Sequence, residues 1–149
     1  MIEISVSDIV KAQVNSVDNI LKNYSGYKEW WIFPIETFEN NRFYFQFSPI
    51  PCIKIGLKED SYHPKKKLQF EYVRGPFRGI GFWELEDVGN SQTKISYTIR
   101  LEPLNNIIGL MAKTKIFYWK HSSDIKKLIR EIKKKAVMNS DAGHVEDSA

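Results

Sequence analysis

A single cysteine, Cys52, stands among 149 residues. That count excludes an internal disulfide and any cluster of thiolate ligands, and it fits a reducing compartment. The three histidines, His63, His121 and His144, are scattered without the spacing of a metal-ligand set. No apolar run approaches the ~20 residues that a membrane-spanning helix needs. The opening stretch MIEISVSDIVKAQV lacks the basic-then-apolar order of a secretory leader, so a cytoplasmic location is expected. There is no Gly-x-Ser-x-Gly, no phosphate loop and no dinucleotide fingerprint. GPFRGIG fails as the last of these because it opens a strand and not a helix. No cofactor, no metal and no catalytic residue is therefore expected from motifs. Charge is nearly balanced at +4. Much of the excess is lysine on one helix face, which a solvated surface explains without nucleic acid.

What is present is aromatic and alternating. Ile2 to Val10 reads as a strand, and Asn15 or Ser16 caps a short helix carrying Val17, Ile20 and Leu21 on one face. Gly26 breaks that helix, and Tyr27-Lys28-Glu29-Trp30-Trp31 forms a second short helical turn. Six strands follow in succession: Ile35–Glu39; Arg42–Ser48 with Phe43, Phe45 and Phe47 on one face; a strand with Ile53, Ile55 and Leu57; one with Leu68, Phe70 and Tyr72; Arg78–Asp87 with Gly79, Gly81, Trp83 and Leu85; and one with Ile95, Tyr97, Ile99 and Leu101. The turns between them are marked by Asn40-Asn41, by Pro49 and Pro51, by a polar loop EDSYHPKKK, by Gly75-Pro76 and by Gly89-Asn90.

After Pro103 no proline interrupts the chain. The spacing predicts one long helix over Leu104 to Ala136. Its apolar stripe holds Ile107, Leu110, Met111, Phe117, Ile125, Leu128, Ile129 and Ile132, with the polar Thr114, Tyr118 and His121 near the middle. At about 1.5 Å per residue it runs on the order of 45 Å, and so needs a broad apolar surface. One-sided strands supply one. The reading is one domain over 1–136, followed by a disordered tail over 137–149.

This order of elements, the segment Tyr27 to Trp31, and the hairpin GPFRGIGFWELEDVGNSQTKISYTIRLEP resemble the START/Bet v 1-like superfamily (SRPBCC). Gly81-Phe82-Trp83, Gly89-Asn90 and Thr93 match the loose family pattern of that hairpin. The resemblance implies an α+β helix-grip fold of β-α-α-β6-α order. A seven-stranded curved antiparallel sheet carries two short helices, with the long C-terminal helix over its concave face. It further implies an apolar cavity between sheet and helix. Members bind lipids, sterols, quinones or polyketides; some are aromatase/cyclases and others co-chaperones.

On the inward parity of the strands and helix, the residues expected to meet a ligand are Phe45, Phe70, Tyr72, Trp83, Tyr97, Met111, Thr114, Tyr118 and His121. Asp124 falls off the stripe and is expected no deeper than the rim. Trp119 points away from the stripe, with Lys115 and Lys126 on its side of the helix. That face is expected to touch a membrane surface or a protein, or else to be a Trp lying over lysine stems. The function expected is binding, with or without transport, of a small hydrophobic molecule. A cyclase/dehydratase-type enzyme using the same cavity, and a co-chaperone-like interaction module, are the alternatives. Fold alone does not decide among these.

Overall fold

Alternation builds the sheet. Phe43 and Phe45, Leu68 and Phe70, and Ile95, Tyr97, Ile99 and Leu101 are buried at every second position, because successive side chains of a strand point to opposite faces. The computed structural model describes residues 1–39, 41–48, 53–106 and 115–148. Among these, seven strands form one sheet: β1 (Ile2–Val10), β2 (Ile35–Glu39), β3 (Arg42–Ser48), β4 (Ile53–His63), β5 (Lys67–Arg74), β6 (Phe77–Gly89) and β7 (Gln92–Pro103). Their order is β1-β7-β6-β5-β4-β3-β2, antiparallel throughout. From β2 onward each strand pairs with its successor, and β1 closes against β7. Two short helical segments lie between β1 and β2: α1 (Val14–Lys22) and a 3₁₀ helix, Tyr24–Glu29. The last element is α2 (Lys115–Ser148). This is the helix-grip arrangement.

Several local expectations need correction. The stretch Glu59–His63, read as loop, is the second half of β4 and pairs with Lys67–Phe70. Register irregularities at Gly56/Leu57 and Glu59/Ser61 break its alternation. Its side chains are also used: Tyr62 donates to the buried Asp18 at 2.7 Å, and Gln69 donates to Asp60 at 2.6 Å. Gly26 does not end a helix but lies within the 3₁₀ segment. The cap of α1 is Gln13, with no side-chain hydrogen bond, rather than Asn15 or Ser16. The last helix continues past Ala136 to Ser148. No proline stops it there; Ala136 is fully buried, and Val137 and Met138 are exposed.

The 3₁₀ helix is the sheet's aromatic plug. Tyr27 is fully buried and its hydroxyl donates to the Leu21 carbonyl. Its ring lies 4.4 Å from Trp30 and 5.5 Å from Phe43, and Trp30 reaches Trp83 at 6.3 Å. Tyr24 packs on Phe38 and Phe70. One end of the concave face is therefore filled from within the chain. Polar ties hold the plug down at its edge. Lys22 and Tyr24 both donate to Glu59 of β4, and Lys22 sits 4.4 Å over the Tyr62 ring.

The helix α2 covers the remaining part. Ile125, Leu128, Ile129, Ile132 and Ala136 are buried on its inner side, and the helix packs on β1 and α1. No helix among the described residues is long and apolar enough to cross a membrane.

Candidate functional site

Where the plug ends and α2 begins its contact with the sheet, a cavity of about 50 Å³ remains. Its walls are Phe45 and Phe47 of β3, Ile55 and Leu57 of β4, Tyr72 of β5, Phe77 of β6, and Tyr97, Ile99 and Leu101 of β7. Trp31 and Phe33 close it from the segment after the 3₁₀ helix, and His121, Asp124, Ile125 and Leu128 roof it from α2. The lining is aromatic and aliphatic, with polar side chains grouped at two places.

The first is a pair of inward tyrosines, Tyr72 on β5 and Tyr97 on β7, with β6 between their strands. Tyr72 and Tyr97 lie close enough to influence each other, and burial drives both phenols well above their ordinary pKa. Both are therefore neutral at any physiological pH. The pair depends on Gly81, which opposes Ile99 and neighbours Phe70 across the sheet. A Cβ at Gly81 would stand 2.5 Å from Tyr97 Oη, so only glycine leaves space for that hydroxyl. The Tyr97 ring is held from the other side by Trp83 at 4.3 Å.

The second polar place is on α2. The His121 ring stacks on Phe47 at 5.2 Å and meets Phe77 edge-on at 6.4 Å. Asp124, one turn further, is only 5% exposed. Both its oxygens accept from Lys120, at 2.9 Å each. Lys120 itself reaches to solvent and lies 5.8 Å from the Phe47 ring centre. A buried carboxylate thus adjoins an imidazole at the cavity roof, its charge compensated from outside. A further donor is near: Trp31 Nε1 is buried without a hydrogen-bond partner among the described residues, as is Trp30 Nε1.

Of the residues expected to meet a ligand, the structure brings Phe45, Tyr72, Tyr97 and His121 to this cavity. Phe70 and Trp83 are buried elsewhere, under the rings of the plug. Sheet parity gives their face but not which covering element lies over them. Tyr118, expected on the inner stripe, is 52% exposed. Helical periodicity names a face, not how far the opposing surface reaches along it. Met111 and Thr114 lie outside the described residues, as do Ile107, Leu110, Cys52 and the prolines at 49 and 51. Asp124, expected at the rim, lies deeper. Its approach follows from how α2 lies across β1, which no periodicity records. Phe47 lines the cavity from the inward face it shares with Phe43 and Phe45, and Trp31 and Phe33 complete the walls; the signal of these last two is the density of aromatics around Pro34. Arg74 ends β5 exposed. Among the described residues no three His, Cys, Asp or Glu side chains gather as metal ligands.

No family model and no curated protein matches the sequence. Solved structures match the fold. TTHA0849 from Thermus thermophilus is 16% identical, covering 93% of this chain and 99% of its own, at a TM-score of 0.74. A START superfamily protein from Mycobacterium smegmatis is 9% identical over 91% of this chain and 97% of its own, with a TM-score of 0.69. The di-domain ARO/CYC BexL from the BE-7585A biosynthetic pathway is 13% identical over 89% of this chain, with a TM-score of 0.68; the match spans 46% of BexL. Identities this low speak for architecture, and the chain has the helix-grip, START/Bet v 1-like fold.

Proposed function

We propose that the protein binds a small hydrophobic ligand, of lipid, quinone or polyketide type, between the sheet and α2. The observation that carries the reading is the aromatic cavity under the helix, with its polar groups centred on the Tyr72–Tyr97 pair and the His121–Asp124 turn. Desolvation of the ligand supplies affinity, and one phenol or the imidazole orients a ligand oxygen. At about 50 Å³ the cavity holds a water or two, whereas occupied pockets run to roughly 300–1,000 Å³. Binding is therefore coupled to an opening in which Trp31, Phe33 and Phe47 part from His121.

Native mass spectrometry of protein purified from its own host tests this. A co-purifying hydrophobic mass is expected, released when Tyr72→Phe and Phe47→Ala are combined. A protein that carries no such mass and binds no member of a panel of apolar compounds is not a ligand carrier; the interaction-module reading then stands.

A second reading draws on Asp124. A buried carboxylate one turn from an imidazole, over an apolar cavity, is suited to acid–base work on a bound carbonyl compound, and BexL is an ARO/CYC protein. An enzyme of the cyclase/dehydratase kind would lose turnover in His121→Ala and keep its affinity for substrate. Equal loss of both, or of neither, removes catalysis from consideration.

A further inference from the structure

The outer face of α2 carries an indole that nothing among the described residues covers, and the neighbouring Tyr118 is exposed on the inner side of the same turn. Trp119 is 77% exposed and Tyr118 52%. On a helix turning about 100° per residue, Lys115, Lys126 and Arg130 fall within about 40° of Trp119, and Lys127 flanks them. All four are exposed. The other cations of the helix are neutralised: Lys120 by Asp124, Lys133 by Asp8, Lys134 by Glu131 and Lys135 by Glu29. Among the described residues no acid pairs with Lys115, Lys126, Lys127 or Arg130. The face thus presents a row roughly 22 Å long from Lys115 to Arg130, with the exposed Trp119 ring near one end and uncompensated positive charge along it. Beside the row a hollow of about 410 Å³ lies between β1 and α2, lined by Val6, Ser7, Asp8, Lys126, Ile129, Arg130 and Lys133.

We infer that this face docks on an anionic phospholipid surface, with α2 lying parallel to the membrane. An indole settles at the headgroup level of a bilayer, where one end is apolar and the other wet. Uncompensated lysine and arginine beside it meet anionic headgroups. The hollow at Lys126 and Arg130 has room for a lipid headgroup, and with Asp8 balanced by Lys133 its lining keeps a net positive charge. An apolar protein partner fits less well: its anchors need apolar pockets, and this hollow is lined mainly by polar side chains.

Sedimentation with vesicles of phosphatidylcholine, with and without phosphatidylserine, tests the inference on the whole chain. Trp30 and Trp83 are buried and Trp31 half-buried, so a blue shift of tryptophan emission reports Trp119. Binding to the serine-containing vesicles only, weakened by salt, with a blue shift, is expected. Trp119→Ser abolishes the shift and weakens binding about tenfold. Each cation near such a surface contributes roughly fivefold, so Lys126→Glu with Arg130→Glu costs more than about twentyfold. Circular dichroism of both variants matches the parent, because the positions are exposed. The inference fails if the protein ignores phosphatidylserine vesicles, if it binds pure phosphatidylcholine equally, or if either variant binds like the parent. It fails too if Trp119 is instead buried by self-association without lipid, or by a protein partner that vesicles do not displace. None of these outcomes depends on whether the cavity takes a ligand.

Discussion

Glu59 receives two donors from a different part of the chain, Lys22 and Tyr24. Burial raises its carboxyl, but the bonds from Lys22 and Tyr24 outweigh that and hold it below the ordinary glutamate range. A lowered acid contributes stability that is complete above its unfolded pKa and disappears as pH falls through the folded one. The tie between plug and β4 therefore weakens on acidification, starting near pH 5 and continuing below the usual carboxylate range. Glu59→Gln is expected to destabilise by about 1–3 kcal/mol at pH 7 and to flatten the acid limb of a plot of urea midpoint against pH. A variant whose acid limb matches the parent would show that the carboxylate is not what holds the plug. Asp8 behaves in the same sense: burial raises it, while bonds from Lys133 and the Ile9 amide lower it further. Tyr62, pushed up to about 12 by burial and its bond to Asp18, stays neutral throughout this range.

The element that divides its labour is α2. From Ile125 to Ala136 its inner side is core, and Ile132 is fully buried. Before His121 both exposed rings stand clear of the sheet. Ile132→Ala is expected to cost about 2–5 kcal/mol through the cavity it leaves, while truncation after Met138 leaves stability within about 0.5 kcal/mol of the parent. Chemical denaturation of the two proteins decides it: equal losses would mean that the far end of the helix also carries core contacts. The periodic core of α2 is legible in the sequence, as are the strands with one solvated face, because periods of 3.6 and 2 directly encode burial on one side. The second half of β4 is not. Its glutamate, aspartate, serine and histidine read as loop, since register irregularities and cross-strand polar pairs conceal the pairing. The site is legible in half: Phe45, Tyr72, Tyr97 and His121 follow from parity, whereas Asp124 and the displacement of Phe70 and Trp83 follow from how elements lie on one another.

At the scale of the whole molecule, the concave face is shared between internal rings and the cavity under α2. The chain fills one end of that face with Tyr27, Trp30 and the partly buried Phe38. On the proposed binding reading, a ligand would lie toward Phe47 and His121, and the stacked contact between those two rings is the part of the roof that would open.

The sheet order carries one more consequence. β1 lies between solvent and β7, with Ser5 Oγ 2.9 Å from Thr98 Oγ1 although 93 residues separate them. β2 to β7, by contrast, form a run of neighbours that can zip successively. Closing so long a loop before any contact rewards it is slow. The first strand made is therefore the last to find its partner, and it waits through synthesis of nearly the whole domain with Ile2, Ile4 and Val6 uncovered. Ile4→Val should then quicken unfolding and leave the folding rate of the isolated chain unchanged in stopped-flow measurements. A slowed folding arm would instead put β1 in the nucleus. On this topology, the window in which the nascent chain most needs protection is set by the distance from Ile2 to its partner Leu101.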